Sequence, residues 1–381
     1  MKINFINPPK SFCLLFIKFG KFNSCLIIFL FLFFSQIGCK NNKSFILTGY
    51  LTGFKDSTLL FLQRGKNIDS AYLTKGTFSF QGKIDDDAEH VLLKVFDNSS
   101  YTFLWLENTE IKFYNIKNGS IKNSKIIGSE TQKEDDRYNL LMKPYNEKRD
   151  SLTTINMSGA DSFKMKEVEY EFKKNDSLIN DANYKFINDN PNSLISIDLL
   201  KVYCSVFGKK KTIYLFDKIN EKNRNTSLGK EIQNFIALNK EIKIGDRFEN
   251  FIQYDVSGNE VKLSDLTGKT ILLEFWASWC MPCRRENPLL LNIYNKYKKK
   301  GFEIISISID QDKNEWKKAI KEDKLIWINV TELGEKENTA ALIYGISSLP
   351  DNFLINPTGT IIKRNITNEE LSNELAKLLT K

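Results

Sequence analysis

A chain of 381 residues has room for two or three domains, and its 28 Phe and 14 Tyr give each of them core material. The net charge of +8 makes no case for nucleic acid. Lys2, Lys10, Lys18 and Lys21 supply half of it ahead of any folded domain, and there is no aromatic-basic alternation or recognisable binding motif. Cys13, Cys25, Cys39, Cys204, Cys280 and Cys283 form no even, regular framework, which excludes a disulfide-stapled scaffold.

Residues 1–38 read as an address. A lysine-bearing start leads into "CLIIFLFLFFSQIG", whose apolar part is too short for an ordinary membrane span and fits the core of a signal peptide. The run stops at Gly38, and Cys39 is followed by polar "KNNKS". This pattern resembles a bacterial lipoprotein signal, in which the cysteine after the cut is lipidated. Gln36 stands where Leu is usual, and the leader is long. Cleaved secretion and an uncleaved anchor are the alternatives. All three place the rest of the chain outside the cytoplasm, in an oxidising compartment where thiols need a dedicated supply of electrons.

Residues 39–130 carry short runs rich in β-branched and aromatic residues, such as "FILTGYLTGF", "TFSFQG" and "YTFLWLEN", separated by turn signals. They predict a small all-β sandwich or barrel, with Trp105 as core. His90, beside Glu89 and the run Asp85, Asp86 and Asp87, reads as a solvated turn rather than a cation site. Residues 131–240 predict a helical spacer or sleeve, broken at Pro191 and Ser193, with Cys204 a small hydrophobe in its core. Residues 241–381 alternate strand and helix: "TILLEFWA", "PLLLNIYNKYKKKG", "FEIISISID", "NEWKKAIKED", a strand before "NPTG", "TIIKRNI" and "EELSNELAKLLTK". This order predicts a layered α/β domain with a mixed sheet.

Cys280 and Cys283 fall where the first strong strand gives way to a helix. A helix N-terminus lowers a cysteine pKa, and the thiolate is the nucleophile of disulfide exchange. A helix starting at Cys280 turns its sulfur to those donors and to solvent, and puts Cys283 one turn later, within bonding reach and pointing inward. Cys280 then attacks a partner's disulfide and Cys283 resolves the mixed disulfide. Pro282 is tolerated in the first helical turn. Arg284 and Arg285 are near enough in sequence to favour a thiolate, although arginines on an exposed helix face usually do nothing special. Glu274 interrupts the apolar strand, where an unpaired carboxylate is costly; a raised pKa would let it exchange a proton with Cys283, while a strand edge would let it reach solvent. Pro350, directly before an apolar strand, suits a cis bond, and a cis-proline loop facing the cysteines would offer the backbone of Leu349 to an extended substrate.

The block "FWASWCMPCRRE" with Pro350 downstream resembles the thioredoxin superfamily, and within it the extracytoplasmic TlpA/ResA-like branch. The resemblance runs from about Ile244 to the C-terminus. It implies an α/β thioredoxin fold and a thiol-disulfide oxidoreductase with no cofactor beyond the Cys280–Cys283 disulfide. It implies Cys280 attacking, Cys283 resolving, Glu274 as the buried acid and Pro350 as the cis-proline. Trp279, Pro282 and Leu349 support the site, and Glu286 matches an acidic residue that tunes it. Two departures stand out: Glu249, Asn250 and Phe251 replace the usual Pro-x-Phe at the domain entry, and Met281-Pro282 replaces Gly-Pro, so redox direction does not carry over. The leader, β-domain and helical region ahead of this domain look like the multi-domain redox lipoproteins of Bacteroidetes.

A zinc site would need two more ligands, and neither His90 nor Cys204 completes a set. Trp276, Ala277, Ser278 and Trp279 do not make the Pro-x-x-x-Thr/Ser-x-x-Cys context of a peroxiredoxin, which stays a minor alternative. The runner-up from another class is a binding or scaffold lipoprotein whose β-domain captures a partner. The expectation is a lipid-anchored oxidoreductase of the cell envelope that reduces disulfides of selected envelope proteins, exchanging with protein thiols and disulfides and fed as a reductant by a membrane electron donor, with cytochrome c maturation as one family task.

Overall fold

The structure, a computed structural model, describes residues 44–96, 100–157, 162–332 and 337–379. The leader and Cys39 lie outside the described residues.

Eight strands build the first region: β1 (Phe45–Tyr50), β2 (Leu59–Arg64), β3 (Asn67–Tyr72), β4 (Thr77–Gly82), β5 (Ala88–Val95), β6 (Tyr101–Glu107), β7 (Glu110–Tyr114) and β8 (Lys125–Ile127). They form two four-stranded sheets, β4-β1-β7-β8 and β3-β2-β5-β6. Alternation drives the packing: Phe45 and Leu47 point inward while Ile46 and Thr48 face out, and Leu60, Leu62, Leu93, Leu104 and Phe113 complete the filling. Gly49 is required where it stands, because a Cβ there would meet the ring of Phe78 at 2.0 Å.

Five helices follow: α1 (Glu130–Met157), α2 (Ser162–Asp189), α3 (Leu194–Lys218), α4 (Glu221–Arg224) and α5 (Ser227–Leu238). Ser193 caps α3 by accepting from the N–H of Ile195. Trp105 of β6 and Ala88 of β5 share a core with Ile195, Ile197, Leu200, Leu215 and Ile232 of the helices. Trp105 is therefore core, but of the junction rather than of the sandwich. His90 sits within β5, its ring stacked on Trp105 at 4.7 Å, and not in a turn; Asp85, Asp86 and Asp87 form the bend before it. Cys204 is buried, donates to the carbonyl of Lys201, and burial pushes its thiol up to about 11, which leaves it unreactive at neutral pH.

The last region holds β9 (Ile252–Asp255), β10 (Glu260–Lys262), β11 (Thr270–Trp276), α6 (Met281–Tyr297), β12 (Phe302–Ser308), α7 (Lys313–Glu322), β13 (Ile328–Thr331), α8 (Thr339–Tyr344), β14 (Asp351–Ile355), β15 (Ile361–Arg364) and α9 (Asn368–Leu379). Its seven-stranded sheet runs β10-β9-β13-β12-β11-β14-β15; β11, β12 and β13 are parallel and β14 is antiparallel to β11. All seven residues of β11 are buried, as a central strand covered on both faces demands. Leu272 and Trp276 turn to α6, α7 and α9 with Ile304, Leu290, Trp316 and Leu375, while Leu273 and Phe275 turn to the opposite layer with Ile305, Phe353 and Tyr344. The β9–β10 hairpin, β13 and α8 are not marked by strong periodicity in the sequence.

Candidate active site

The site forms where β11 ends and α6 begins. Cys280 is the N-cap of α6, and its sulfur accepts from the N–H of Cys283 at 3.2 Å. Met281 and Pro282 occupy the first two helical positions, where the missing N–H of proline has no partner to lose. Cys280 and Cys283 are joined as a disulfide, their Cα atoms 5.3 Å apart. The expectation that Cys280 faces solvent is corrected: in this oxidised state it is only 4% exposed and Cys283 is fully buried. The exposed groups are its neighbours, Trp279 at 64% and Met281 at 65%.

The approach to the turn is fixed by a residue the sequence reading missed. Asp310, just past β12, accepts from the N–H and hydroxyl of Ser278 at 2.8 and 2.7 Å, and from the hydroxyl of Ser308 at 2.7 Å. A carboxylate with three donors holds the Trp276–Cys280 turn against the end of β12. Cys280 lines a cleft of about 420 Å³ together with Trp279, Met281, Pro282, Ile309 and the segment Ile346–Leu349. The Leu349–Pro350 peptide bond is cis. None of these lining side chains is charged, so recognition there is left to apolar contact, backbone groups and the hydroxyls of Ser347 and Ser348.

Glu274 lies in the middle of β11, flanked by β12 and β14, so it is not on a sheet edge. It shares the α6-facing side of the strand with Leu272 and Trp276, which pack in one cluster with both cysteines. Only 6% of it is exposed, and burial pushes its carboxyl up to about 7 against a hydrogen bond from the Ser306 hydroxyl that pulls the other way. It lines a second cavity, of about 580 Å³, together with Pro282, Arg285, Glu286, Pro350 and Asn368. Glu286 is exposed and accepts from the side-chain amide of Asn368.

Arg284 does not serve the sulfur. Its guanidinium donates to Asp323 at 2.9 and 2.7 Å and to Glu322 at 2.8 Å, joining α6 to the end of α7. Asn287 donates to the same Asp323 carboxylate at 2.8 Å. Among the described residues, no group of three or more His, Cys, Asp or Glu is gathered closely enough to hold a metal ion.

The AhpC/TSA family matches residues 244–364, and a domain of unknown function, DUF4369, matches residues 45–134. The thiol-disulfide oxidoreductase ResA of Bacillus thuringiensis (strain Al Hakam) is 34% identical over 149 residues, which are 38% of this chain and 84% of that protein. ResA of Bacillus subtilis (strain 168) is 34% identical over 138 residues, 36% of this chain and 75% of that one. The chain belongs to the ResA-like thiol-disulfide oxidoreductases. The solved thioredoxin domain of a thiol-disulfide oxidoreductase from Bacteroides vulgatus is 34% identical, covering 36% of this chain and 99% of that domain with a TM-score of 0.34. The AhpC/TSA match lies in the C-terminal α/β region of this ResA-like chain, whose chemistry is thiol-disulfide exchange.

Proposed function

We propose that the protein is a lipid-anchored, extracytoplasmic reductant of disulfides in selected envelope proteins. The observation that carries this reading is the division of labour between the two cysteines. Cys280 stands at the head of α6 beside an uncharged cleft, while Cys283 is sealed behind it on the side that holds Glu274. In the reduced enzyme, the Cys280 thiolate attacks one sulfur of a substrate disulfide. The substrate S–S bond breaks, one substrate sulfur leaves as a thiolate, and a Cys280–substrate disulfide forms. Cys283 then gives its proton to the Glu274 carboxylate and its sulfur attacks that of Cys280. The second substrate thiolate departs, and two electrons have passed to the substrate. A carboxyl ionising near neutrality suits this second step, which is the one a reductant runs.

Lipidation at Cys39, a membrane electron donor, and a role in cytochrome c maturation belong to the same proposal. They rest on the leader pattern and on the kinship with ResA. Among the described residues no helix is long and apolar enough to cross a membrane.

The deciding experiment is the reduction potential of the Cys280–Cys283 pair in the full chain, by equilibration with dithiothreitol or glutathione and mass-tagging of free thiols. A potential near or below about −270 mV is expected, and one near about −120 mV reverses the direction to disulfide donor. A pair that never exchanges sinks the enzyme reading and leaves a scaffold. In cells, Cys283→Ser should accumulate mixed disulfides with envelope proteins through Cys280, and Cys280→Ser should accumulate none. Labelled palmitate should enter the wild-type chain and not Cys39→Ser.

A further inference from the structure

The strand beside Glu274 carries an oddity of its own. Ser306 is the residue of β12 in register with Glu274, and it is fully buried between Ile305 and Ile307. Its hydroxyl donates to the Glu274 carboxylate at 2.5 Å. The indole N–H of Trp327 donates to the oxygen of Ser306 at 2.7 Å. An indole nitrogen can only donate, so the serine oxygen must accept there, and its single proton is left for Glu274. Trp327 is itself held: the Asn329 amide donates to its carbonyl at 2.8 Å and to that of Leu325 at 3.2 Å, and Tyr294 packs edge-on against its ring.

We infer that Ser306 and Trp327 are positioning residues of the redox step, a one-way hydrogen-bond chain that holds the Glu274 carboxylate ready to take the proton of Cys283. The inference rests on the reading of Glu274 as the proton acceptor. A donor that can point only at the carboxylate stabilises its ionised form and offsets part of the burial that favours the acid. The other groups bearing on Glu274 do not duplicate this. From α6, Arg285 and Glu286 line its cavity, an opposed pair of charges, and Cys283 packs in the same cluster; α9 and the loop before it contribute uncharged Asn368 and Asn365. From β14, the residue in register is uncharged Asn352, and the neighbouring Asp351 is bound by Arg364 of β15 at 2.7 Å.

The test follows the two releases of thionitrobenzoate when the reduced full chain meets Ellman's reagent. The first release reports attack by Cys280, and the second reports resolution by Cys283. In the wild-type chain the second rate should rise with pH through one midpoint near neutrality. Ser306→Ala should move that midpoint up by about one unit, leaving the second release about tenfold slower on the rising limb, with the first release unchanged. Trp327→Phe should move it in the same direction by less, since the serine proton is then free to turn away. Ser306→Thr, which restores the hydroxyl, should return the midpoint toward wild type.

A merely structural role would lower thermal stability without moving a midpoint. A wild-type midpoint in Ser306→Ala, while Glu274→Gln abolishes it, overturns the hydrogen-bond chain and leaves Glu274 standing. A midpoint that survives Glu274→Gln overturns both.

Discussion

Burial places the ionisation of Glu274 at about 7, whereas an unhindered glutamate ionises near 4.5. Between those two values the folded protein holds a proton that the unfolded chain has released. Stability therefore falls as pH rises through that window and is flat on either side. The difference amounts to about 3 kcal/mol for a shift of this size. Urea melts of the oxidised protein at about pH 4, 6 and 8 should show the wild type losing stability relative to Glu274→Gln, with the gap opening from the lowest pH to the highest. A constant gap would mean that this carboxyl ionises at the same pH in the folded and the unfolded protein. Glu274 was legible in the sequence because a charged residue inside "TILLEFW", with apolar flanks on both sides, leaves only a strand edge as the bland alternative, and the structure puts β11 between β12 and β14. Ser306 and Ser308 carry the same kind of signal, as small polar residues at every second position of "IISISID". The signal is weaker because a buried serine is commonplace, and Trp327, the partner of Ser306, is brought to it only by the register of the neighbouring strand.

At the scale of elements, α6 is held from outside as well as by its own cap. Burial pushes the Asp323 carboxyl up, but the hydrogen bonds from Arg284 and Asn287 outweigh it and hold it below the usual range. Arg284→Ala strands a largely buried carboxylate with one remaining side-chain donor, and should lower stability by about 1–2 kcal/mol in denaturant melts. The thiol pKa of Cys280, read by the pH dependence of alkylation, should stay where it was; a rise of a unit would restore a thiolate role for Arg284. The elements that the sequence announced are those with long periodic or fully apolar runs, such as β11, β12 and α6. The six-residue α8 is shorter than two turns, and β9 and β10 are short and half-exposed, so neither pattern had length enough to register. Arg284 shows the limit of proximity along the chain: two residues from Pro282 in sequence, its charge is turned to another helix.

At the scale of the whole molecule, the helices do more than separate two domains. Asn239, just after α5, donates its side-chain amide to the carbonyl of Leu342 at 3.0 Å, and the N–H of Lys240 donates to that of Ile343 at 3.1 Å. Both acceptors are carbonyls in the last turn of α8: that of Leu342 also takes the N–H of Gly345 at 3.3 Å, and that of Ile343 is reached by Lys240. Gly345 caps the same end with φ of 62°, and a Cβ on it would meet the Asn239 amide nitrogen at 2.7 Å. Gly345→Ala should therefore lower stability by about 1–3 kcal/mol. It should also slow reduction of a protein disulfide more than reduction of a small one, because the segment that follows lines the cleft above Cys280. Equal slowing of both would show that the strain never reaches the cleft.

That clamp also sets where the chain tolerates being cut. An excised redox domain beginning after Lys240 would take one donor from each of two carbonyls of α8, those of Leu342 and Ile343, a few residues upstream of Pro350. Kinetics measured on such a piece would describe an enzyme with a loosened mouth. A piece beginning at Thr226, whose hydroxyl caps α5 by accepting from Gly229, carries its own clasp with it. Comparing the two fragments side by side would read the contribution of α5 and the clasp that follows it through the few atoms that touch the catalytic domain.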